Sequence, residues 1–376
     1  MTRKECALQI SEPVYNIERS YEDNYRDGPV FHGRIPATMP TGPAVSFLGI
    51  PANSRLGIPA GPLLNSDWIA FYAKMGFDLL VYKTVRTHAH PSYPPPNCLY
   101  VSVSGDLTPG SLSTPLIGTP RMEPSSMRDI TITNSFGMPS QDPSVWQKDV
   151  SRARQRIGPG QVLIVSVVGT ERERESIAEN FARAAKMAKE SGAQAIEVNF
   201  SCPNVKGTEG QIFQDPESAG KVARMVRKAI GPEFPLIVKV GYIGNDVEAV
   251  ALLREIGPSV NAIAAINTLS ATVINPEGRP ALPGTGRERS GICGNGIRKA
   301  ALEVVSRISR GIGTLKLPLS LIGVGGLMTV EDYDLFLSSG ADFAMTATGA
   351  MWDPYLAYHQ KQQNLRHEEI GKGHHD

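Results

Sequence analysis

Unusual polar residues stand where several short apolar, β-branched runs of this sequence end. One run ends in Lys83-Thr84, another leads into Asn199-Phe200-Ser201-Cys202-Pro203-Asn204, and two more end at Lys239 and at Asn267-Thr268. A buried lysine is costly unless it is paired. Two lysines at strand ends therefore predict an anionic or electron-rich ligand. The alternative is that each lysine only forms an ion pair with a carboxylate.

Two further runs end in small residues. Gly323-Val324-Gly325-Gly326 follows one of them and Ala347-Thr348-Gly349 follows the other. Glycine lets backbone N–H groups approach a ligand, and loops of this kind after the last two strands of a barrel often hold phosphate. A Gly-Gly pair alone could be a tight turn, but in this position it indicates a phosphorylated cofactor.

The elements that must position these residues follow one pattern from Leu56 onward: an apolar run, a loop, then a stretch with helical spacing. The expected strands are Gly57–Ala60, Leu79–Lys83, Val162–Val168, Ala195–Phe200, Leu236–Val240, Ala262–Asn267, Leu319–Val324 and Phe343–Thr346. The expected helices are Ser66–Lys74, Pro143–Ile157, Arg174–Ser191, Pro216–Ile230, Val247–Ile256, Ile297–Ser309, Val330–Ser338 and Pro354–Gln362. Eight strands each followed by a helix predict an α/β fold, a single closed (β/α)8 barrel, rather than an open doubly wound sheet.

Two segments interrupt this pattern. Residues 86–131 are rich in Pro, Ser and Thr, and residues 270–295 are rich in Gly and Pro. Both follow a strand directly, which predicts extended loops that cover the C-terminal face of the barrel as lids. We expect an N-terminal extension at 1–45 that wraps the outside or forms an interface, a barrel domain at 46–362, and a polar, frayed tail at 363–376.

Composition points to a small-molecule partner. The 376 residues are 41% hydrophobic and 20% charged with a net charge of +1, so neither nucleic acid nor an anionic membrane is expected as a partner. No transmembrane segment or secretory signal is expected. Cys6, Cys98, Cys202 and Cys293 are too scattered for a disulfide framework, which favours a reducing, cytoplasmic location.

The chain also carries six short motifs: YKT at 82–84, TNSFGMPS at 133–140, NFSCPNVKG at 199–207, VKV at 238–240, INT at 266–268 and VGG at 324–326. In this order they resemble the dihydroorotate dehydrogenase family, over roughly Gly57 to Trp352. The resemblance implies a flavoprotein with FMN as its prosthetic group and oxidation of dihydroorotate to orotate in pyrimidine biosynthesis. NFSCPN, the most specific element, is similar to the class of the family with a cysteine base.

The resemblance further implies which residues bind the flavin. Ala60 and Gly61 would lie against it, Lys83 and Thr84 near its ring, and Ser166 and Asn199 in its pocket. Lys239 would contact the ring edge and ribityl chain and stabilise negative charge on the reduced flavin. The residues implied for the phosphate are Ser290, Gly291, Gly325, Gly326 and Thr348.

Substrate contacts follow from the same resemblance. They fall on Lys83, Asn134, Asn199, Asn204, Asn267 and Thr268, with backbone groups of Phe136, Gly137 and Met138. An Asn side chain offers both a donor and an acceptor, which suits a cyclic ureide with a carboxylate. Four Asn residues at these positions are hard to explain as helix caps.

Cys202 would be the catalytic base by this resemblance. It would remove the C5 proton of dihydroorotate while FMN accepts the C6 hydride from the opposite face. A free thiol titrates at a pH of about 8.5, so activity should rise with pH. The alternative is that Cys202 is a small buried hydrophobic residue, but its strand-end loop flanked by Asn residues favours a functional role.

Other motifs are weaker. His88 and His90 have a spacing that metals use, but no third ligand is evident, so no metal site is expected. GTGRERSG at 284–291 only loosely matches a dinucleotide loop, so we do not expect it to bind NAD. Cys98 and Cys293 lie in the two insertions and are expected to be incidental.

The sequence departs from the family pattern at three positions. Phe136 stands in place of a Met and Ser140 in place of an Asn in an NSMGLPN-like element, and Ala347 replaces a usual Gly. Three alternatives therefore stay open: a dihydropyrimidine oxidoreductase, a dihydrouridine oxidoreductase acting on tRNA, which would need a basic surface, and a non-catalytic flavin- or phosphate-binding barrel.

The electron acceptor is open at this stage. Fumarate, NAD through an iron–sulfur partner subunit, and quinone all occur in the family. The first 45 residues lack the amphipathic apolar spacing of a membrane-associated extension. We therefore expect the cytoplasmic class and a homodimer.

Overall fold

The structure, a computed structural model, describes residues 12–201 and 211–372. Its strands are β1 (Val45–Phe47), β2 (Ile50–Ala52), β3 (Leu56–Ile58), β4 (Leu79–Val85), β5 (Cys98–Ser102), β6 (Leu116–Thr119), β7 (Thr131–Asn134), β8 (Val162–Val167), β9 (Ala195–Asn199), β10 (Leu236–Val240), β11 (Ala262–Ala265), β12 (Leu269–Ile274), β13 (Arg289–Gly294), β14 (Ser320–Val324) and β15 (Phe343–Met345). Its helices are α1 (Tyr21–Asp27), α2 (Ser66–Lys74), α3 (Pro143–Gln155), α4 (Ile177–Glu190), α5 (Pro216–Ile230), α6 (Asp246–Ile256), α7 (Arg298–Leu315), α8 (Val330–Ser338), α9 (Thr348–Trp352) and α10 (Leu356–Lys372).

The main body is a closed parallel barrel of eight strands, which confirms the predicted fold class. In spatial order the strands are β3, β4, β8, β9, β10, β11, β14 and β15, and β15 pairs back onto β3. Strands such as β8, β9 and β10 are buried at every residue, because their two faces pack on the barrel interior and on the surrounding helices. This explains their nearly continuous apolar sequences.

Capping side chains set where several of the surrounding helices begin. Asp142, Ser176 and Asp215 each accept a hydrogen bond from a backbone N–H in the first turn of α3, α4 and α5. Such caps satisfy donors that have no partner inside the helix. They place the helix starts within a few residues of the sequence-based positions.

A short antiparallel hairpin, β1–β2, closes one end of the barrel. Phe47 and Ala52 are fully buried and join a cluster with residues of the barrel interior such as Leu79 and Phe343. The rings of Phe47 and Phe343 meet edge to face with centroids 4.9 Å apart. The barrel is therefore a packed core at this end, and the opposite, C-terminal face carries the cavity.

The two predicted lids together form a second, smaller barrel. β5 and β6 come from the first insertion, β7 follows directly after it, and β12 and β13 come from the second insertion. The five strands close in the order β12, β13, β7, β5, β6. Four of the pairings are antiparallel and the β12–β6 pairing is parallel. The sequence analysis expected loops here, because the Pro and Gly residues obscured the short apolar runs between them.

The polar C-terminal segment is helical rather than frayed as far as Lys372. α10 begins at Leu356, and Gln360 and Lys361 on it are buried. The Nζ atom of Lys361 lies 2.8 Å from a carboxylate oxygen of Asp78, which is also buried. This ion pair anchors the helix to the barrel. Within the described residues no helix is both long and apolar enough to cross a membrane.

Candidate active site

A cavity of about 1160 Å³, counting the space at its mouth, lies between the C-terminal ends of the barrel strands and the second barrel. Most of the predicted site residues line it: Ala60, Gly61, Lys83, Thr84, Asn134, Phe136, Met138, Asn199, Lys239, Asn267, Thr268, Gly325, Gly326 and Thr348. The structure thus gathers residues from strand ends far apart in the sequence.

Four predicted residues lie just behind this cavity wall. Ser166 is fully buried and accepts a hydrogen bond of 3.0 Å from the Thr84 hydroxyl. The Ser290 hydroxyl is hydrogen-bonded to the Thr133 hydroxyl. Gly291 packs closely on Thr268, because a Cβ atom at Gly291 would lie 2.6 Å from the Thr268 hydroxyl oxygen. Gly137 packs against the ring of Tyr93. Ser290 and Gly291 therefore build the second barrel, whereas the lining glycine of β13 is Gly294.

Two predicted residues, Cys202 and Asn204, lie outside the described residues. The chain leading to them is held by two amides of the cavity wall. The Asn267 Nδ2 donates to Asn199 Oδ1 over 3.4 Å and also donates to the carbonyl oxygen of Ser201. Asn199 Oδ1 accepts a second bond of 3.2 Å from the Ser201 N–H. These bonds fix Ser201, directly before Cys202.

Lys239 and Glu197 form a buried pair beside the cavity. They lie on the neighbouring strands β10 and β9, and the Lys239 Nζ is 4.0 Å from Glu197 Oε2. Burial lowers the pKa of Lys239, and the carboxylate of Glu197 partly offsets this by raising it. Glu197 Oε1 has no hydrogen-bond partner among the described residues. The two residues therefore form an ion pair, and Lys239 is the one of the two that lines the cavity.

The turns after β14 and β15 form the glycine-rich end of the cavity. Gly325 and Gly326 have φ angles of +113° and +78°, which favour glycine. A Cβ atom on Gly326 would lie 2.5 Å from the Cα of Arg298. Only a residue without a side chain fits at Gly326 in this turn, and both glycines line the cavity.

Replacing Gly326 with alanine is expected to lower the free energy of unfolding by about 1–3 kcal/mol, because it combines a left-handed backbone with a steric clash. The melting temperature measures this effect. Gly313, on the exposed side of α7 with no atom within 4 Å of a built Cβ, is the matched control. Gly313→Ala should be neutral or stabilising, by up to about 1 kcal/mol. Equal melting temperatures for the two variants would contradict the tight turn.

Two tyrosines of the N-terminal extension also line the cavity, and the sequence analysis missed both. Tyr15 is 3% exposed and packs edge to face on Phe136, with ring centroids 6.2 Å apart. Tyr21 packs on Phe136 in the same way. Within residues 12–201 and 211–372 the Tyr15 hydroxyl has no hydrogen-bond partner, and burial raises its pKa well above the usual value, so it stays protonated. The extension therefore reaches the cavity, whereas the sequence analysis expected it to wrap the outside or to form an interface.

Cys98 and Cys293, which the sequence analysis expected to be incidental, line the same cavity. The Asn134 Nδ2 donates to Cys293 Sγ over 3.4 Å. Burial raises the pKa of both thiols. They are therefore protonated near neutral pH and poorly suited to act as bases.

Two of the departures from the family pattern have local explanations. Phe136 packs on Tyr15 and Tyr21, so the aromatic ring suits the N-terminal segment that covers it. The Ser140 Oγ accepts from the Arg86 N–H over 3.0 Å and donates to the Gln141 carbonyl. Ser140 thus supports a turn outside the cavity wall. Ala347 lines the cavity, and nothing in the structure explains its replacement of glycine.

Comparison with known proteins decides the family. Residues 118–368 match the family model described as dihydroorotate dehydrogenase. The chain is 40% identical over 368 residues to the dihydroorotate dehydrogenase of Dictyostelium discoideum, covering 94% of this chain and 99% of that protein. The chain belongs to the dihydroorotate dehydrogenase family. The resemblance seen in the short motifs is thereby confirmed.

Other members of the dihydroorotate dehydrogenase family match less of the chain. The catalytic subunit of the NAD(+)-type dihydroorotate dehydrogenase B of Maridesulfovibrio salexigens is 35% identical over 172 residues, which is 46% of this chain and 53% of that one. The crystal structure of the Eimeria tenella enzyme in complex with ferulenol superposes with a TM-score of 0.68 at 17% identity, covering 87% of this chain and 85% of that one. The likeness to the solved structure supports the barrel fold.

Proposed function

We propose that this protein oxidises dihydroorotate to orotate, a step of pyrimidine biosynthesis, with FMN as its prosthetic group. The observation that carries the proposal is that three amide side chains, two lysines and a glycine-rich turn line the same cavity. Amides and a lysine suit a cyclic ureide with a carboxylate. The glycine-rich turn suits the phosphate of a nucleotide cofactor.

The residues present fit FMN. Gly325, Gly326 and Thr348 line the cavity, and a Cβ atom at Gly326 would clash with Arg298. Lys239 also lines the cavity and is buried. We assign the phosphate to the turn and the flavin ring to the neighbourhood of Lys239. Bound FMN supplies a hydride acceptor, and Lys239 stabilises the negative charge that accompanies reduction.

The chain's own groups bind and orient the substrate. We assign this role to Lys83, Asn134, Asn199, Asn267 and Thr268. The Thr268 hydroxyl has no hydrogen-bond partner within the part of the chain that the structure describes. Cys202 takes the proton from C5, on the side of the substrate away from the flavin. Asn199 and Asn267 support this step by holding Ser201, the residue next to the thiol.

The purified protein is expected to absorb at about 450 nm, as oxidised flavins do, and to lose this absorbance when dihydroorotate is added without oxygen. Dihydrouracil and dihydrouridine serve as matched controls, because they lack the carboxylate. A coloured protein that dihydroorotate does not bleach would keep the flavin and refute the substrate. A protein that stays colourless after FMN is added would refute the cofactor.

The same reduced protein identifies the electron acceptor. Fumarate, NAD and a short-chain quinone are added separately to the bleached sample, and the return of the flavin absorbance is timed. The acceptor is the compound that restores the absorbance fastest. We propose a homodimer, and a monomer in light scattering would contradict this part of the proposal.

A further inference from the structure

A buried arginine, Arg287, lies directly behind the cavity wall. It precedes β13, is 2% exposed, and lies in the second insertion. Its guanidinium donates five hydrogen bonds. The Nε donates to the Ser135 Oγ over 3.2 Å, and the terminal nitrogens donate to the carbonyl oxygens of Pro94, Pro96, Pro283 and Ser135 over 2.6–2.9 Å. These bonds use the complete donor set of the side chain.

The segment that receives two of these bonds carries proposed substrate contacts. Ser135 stands between Asn134 and Phe136, which both line the cavity. Its carbonyl oxygen accepts from Arg287 over 2.8 Å and from the Asn97 Nδ2 over 3.2 Å. Its N–H donates to the Asn97 carbonyl over 2.8 Å. Ser135 is therefore held from both sides, and the orientation of Asn134 follows from it.

A ring stacked with Arg287 holds the next residues of the segment. The guanidinium carbon lies 5.2 Å from the centroid of Tyr93, whose N–H donates to the Phe136 carbonyl over 3.0 Å. A Cβ atom on Gly137 would lie 3.0 Å from the same ring. Gly137 and Met138 follow in the left-handed region, at φ angles of +76° and +53°. Arg287 thus supports a strained turn directly and through Tyr93.

The surroundings of Arg287 are unusual for a buried charge. All five of its acceptors are neutral oxygens, and it forms no ion pair with a carboxylate of the described residues. Burial of such a charge is costly without a paired anion. A residue that served only to fill space could be apolar. The planar fork instead fits five fixed carbonyl and hydroxyl positions, which a flexible ammonium cannot match.

We infer that Arg287 is a positioning residue that fixes Asn134 and the turn at Phe136–Met138 for substrate binding. It links the two insertions, so the substrate wall becomes rigid only when both have folded onto the barrel. The inference rests on the proposed function, because it presumes that this wall binds orotate and dihydroorotate.

The test uses the flavin-loaded full chain with Arg287→Lys and Arg287→Met. Orotate is titrated while the flavin absorbance is followed, and the dissociation constant is compared with the KM for dihydroorotate. The dissociation constant of orotate and the KM for dihydroorotate should each rise about tenfold or more in both variants, which is the equivalent of one lost hydrogen bond to a charged group. The flavin content should stay as in the wild type, because the phosphate turn is built by other elements.

Arg289, two residues further along and the first residue of β13, provides the matched control. It is exposed, and among the described residues its side chain donates hydrogen bonds to Ser270 and Thr272, so Arg289→Met should bind orotate like the wild type. Unchanged orotate affinity in both Arg287 variants, or full affinity in Arg287→Lys, would overturn the positioning role. Loss of flavin together with orotate binding would overturn it too, since the residue would then support the whole fold. A wild type that binds flavin but not orotate would instead reject the proposed function.

Discussion

Replacement of Cys202 by alanine is expected to slow the reduction of bound flavin by dihydroorotate about 10²–10⁴-fold, the usual effect of losing a general base. The flavin content should not change, because the proposed cofactor contacts lie on other residues. Stopped-flow absorbance without oxygen measures the rate. The wild-type rate should rise with pH as the thiol ionises, and this rise should disappear in the variant.

Cys98→Ala is the control for this experiment, since it removes another thiol of the same cavity. Burial raises the pKa of the Cys98 thiol, so its loss removes no base near neutral pH, and we expect slowing of less than about tenfold. Unchanged kinetics in Cys202→Ala would eliminate Cys202 as the base. A rate that falls equally in both variants would point to a general disturbance of the cavity.

Replacement of Lys239 by methionine is expected to have two separate effects. It leaves the buried carboxylate of Glu197 without its cation, which should lower the free energy of unfolding by about 3–5 kcal/mol. If Lys239 contacts the flavin as proposed, the change also removes a charged hydrogen-bond donor to it, which should weaken FMN binding about 10–100-fold. Thermal melting of the flavin-free protein and FMN titration measure the two effects independently.

The double variant Lys239→Met with Glu197→Gln separates these effects. A neutral amide in place of the carboxylate should restore most of the stability, because no unpaired charge remains buried. FMN binding should stay weak. Wild-type FMN affinity in the double variant would show that Lys239 is only the ion-pair partner of Glu197, the alternative that the sequence left open.

The barrel could be predicted because its signals are local. A strand that is buried on both faces needs a short apolar run, and a helix that packs on it needs an apolar stripe, so each βα unit shows its own pattern. Predicted and observed bounds of α2, α5, α8 and β10 agree at both ends. The second barrel was missed because its strands are short and interrupted by Pro and Gly, and closure depends on pairing β12 with β6, about 150 residues apart.

Much of the cavity wall could also be predicted, since polar residues at strand ends stand out against apolar runs. Lys83, Asn199, Lys239 and Asn267 were visible in this way, and all line the cavity. Tyr15 and Tyr21 gave no such signal. They precede the barrel, among charged residues, and only their packing on Phe136 brings them to the site.

By itself the sequence determined the barrel, the family resemblance and the strand ends that carry chemistry, because each depends on residues close together in the chain. Only the tertiary structure decided which of two nearby glycines faces the cavity. Gly294 lines the cavity, whereas Gly291 packs against Thr268. It also decided that Arg287 bonds to Ser135 and that Lys239 meets Glu197. These contacts join residues from different elements, and their geometry arises only when the elements pack together.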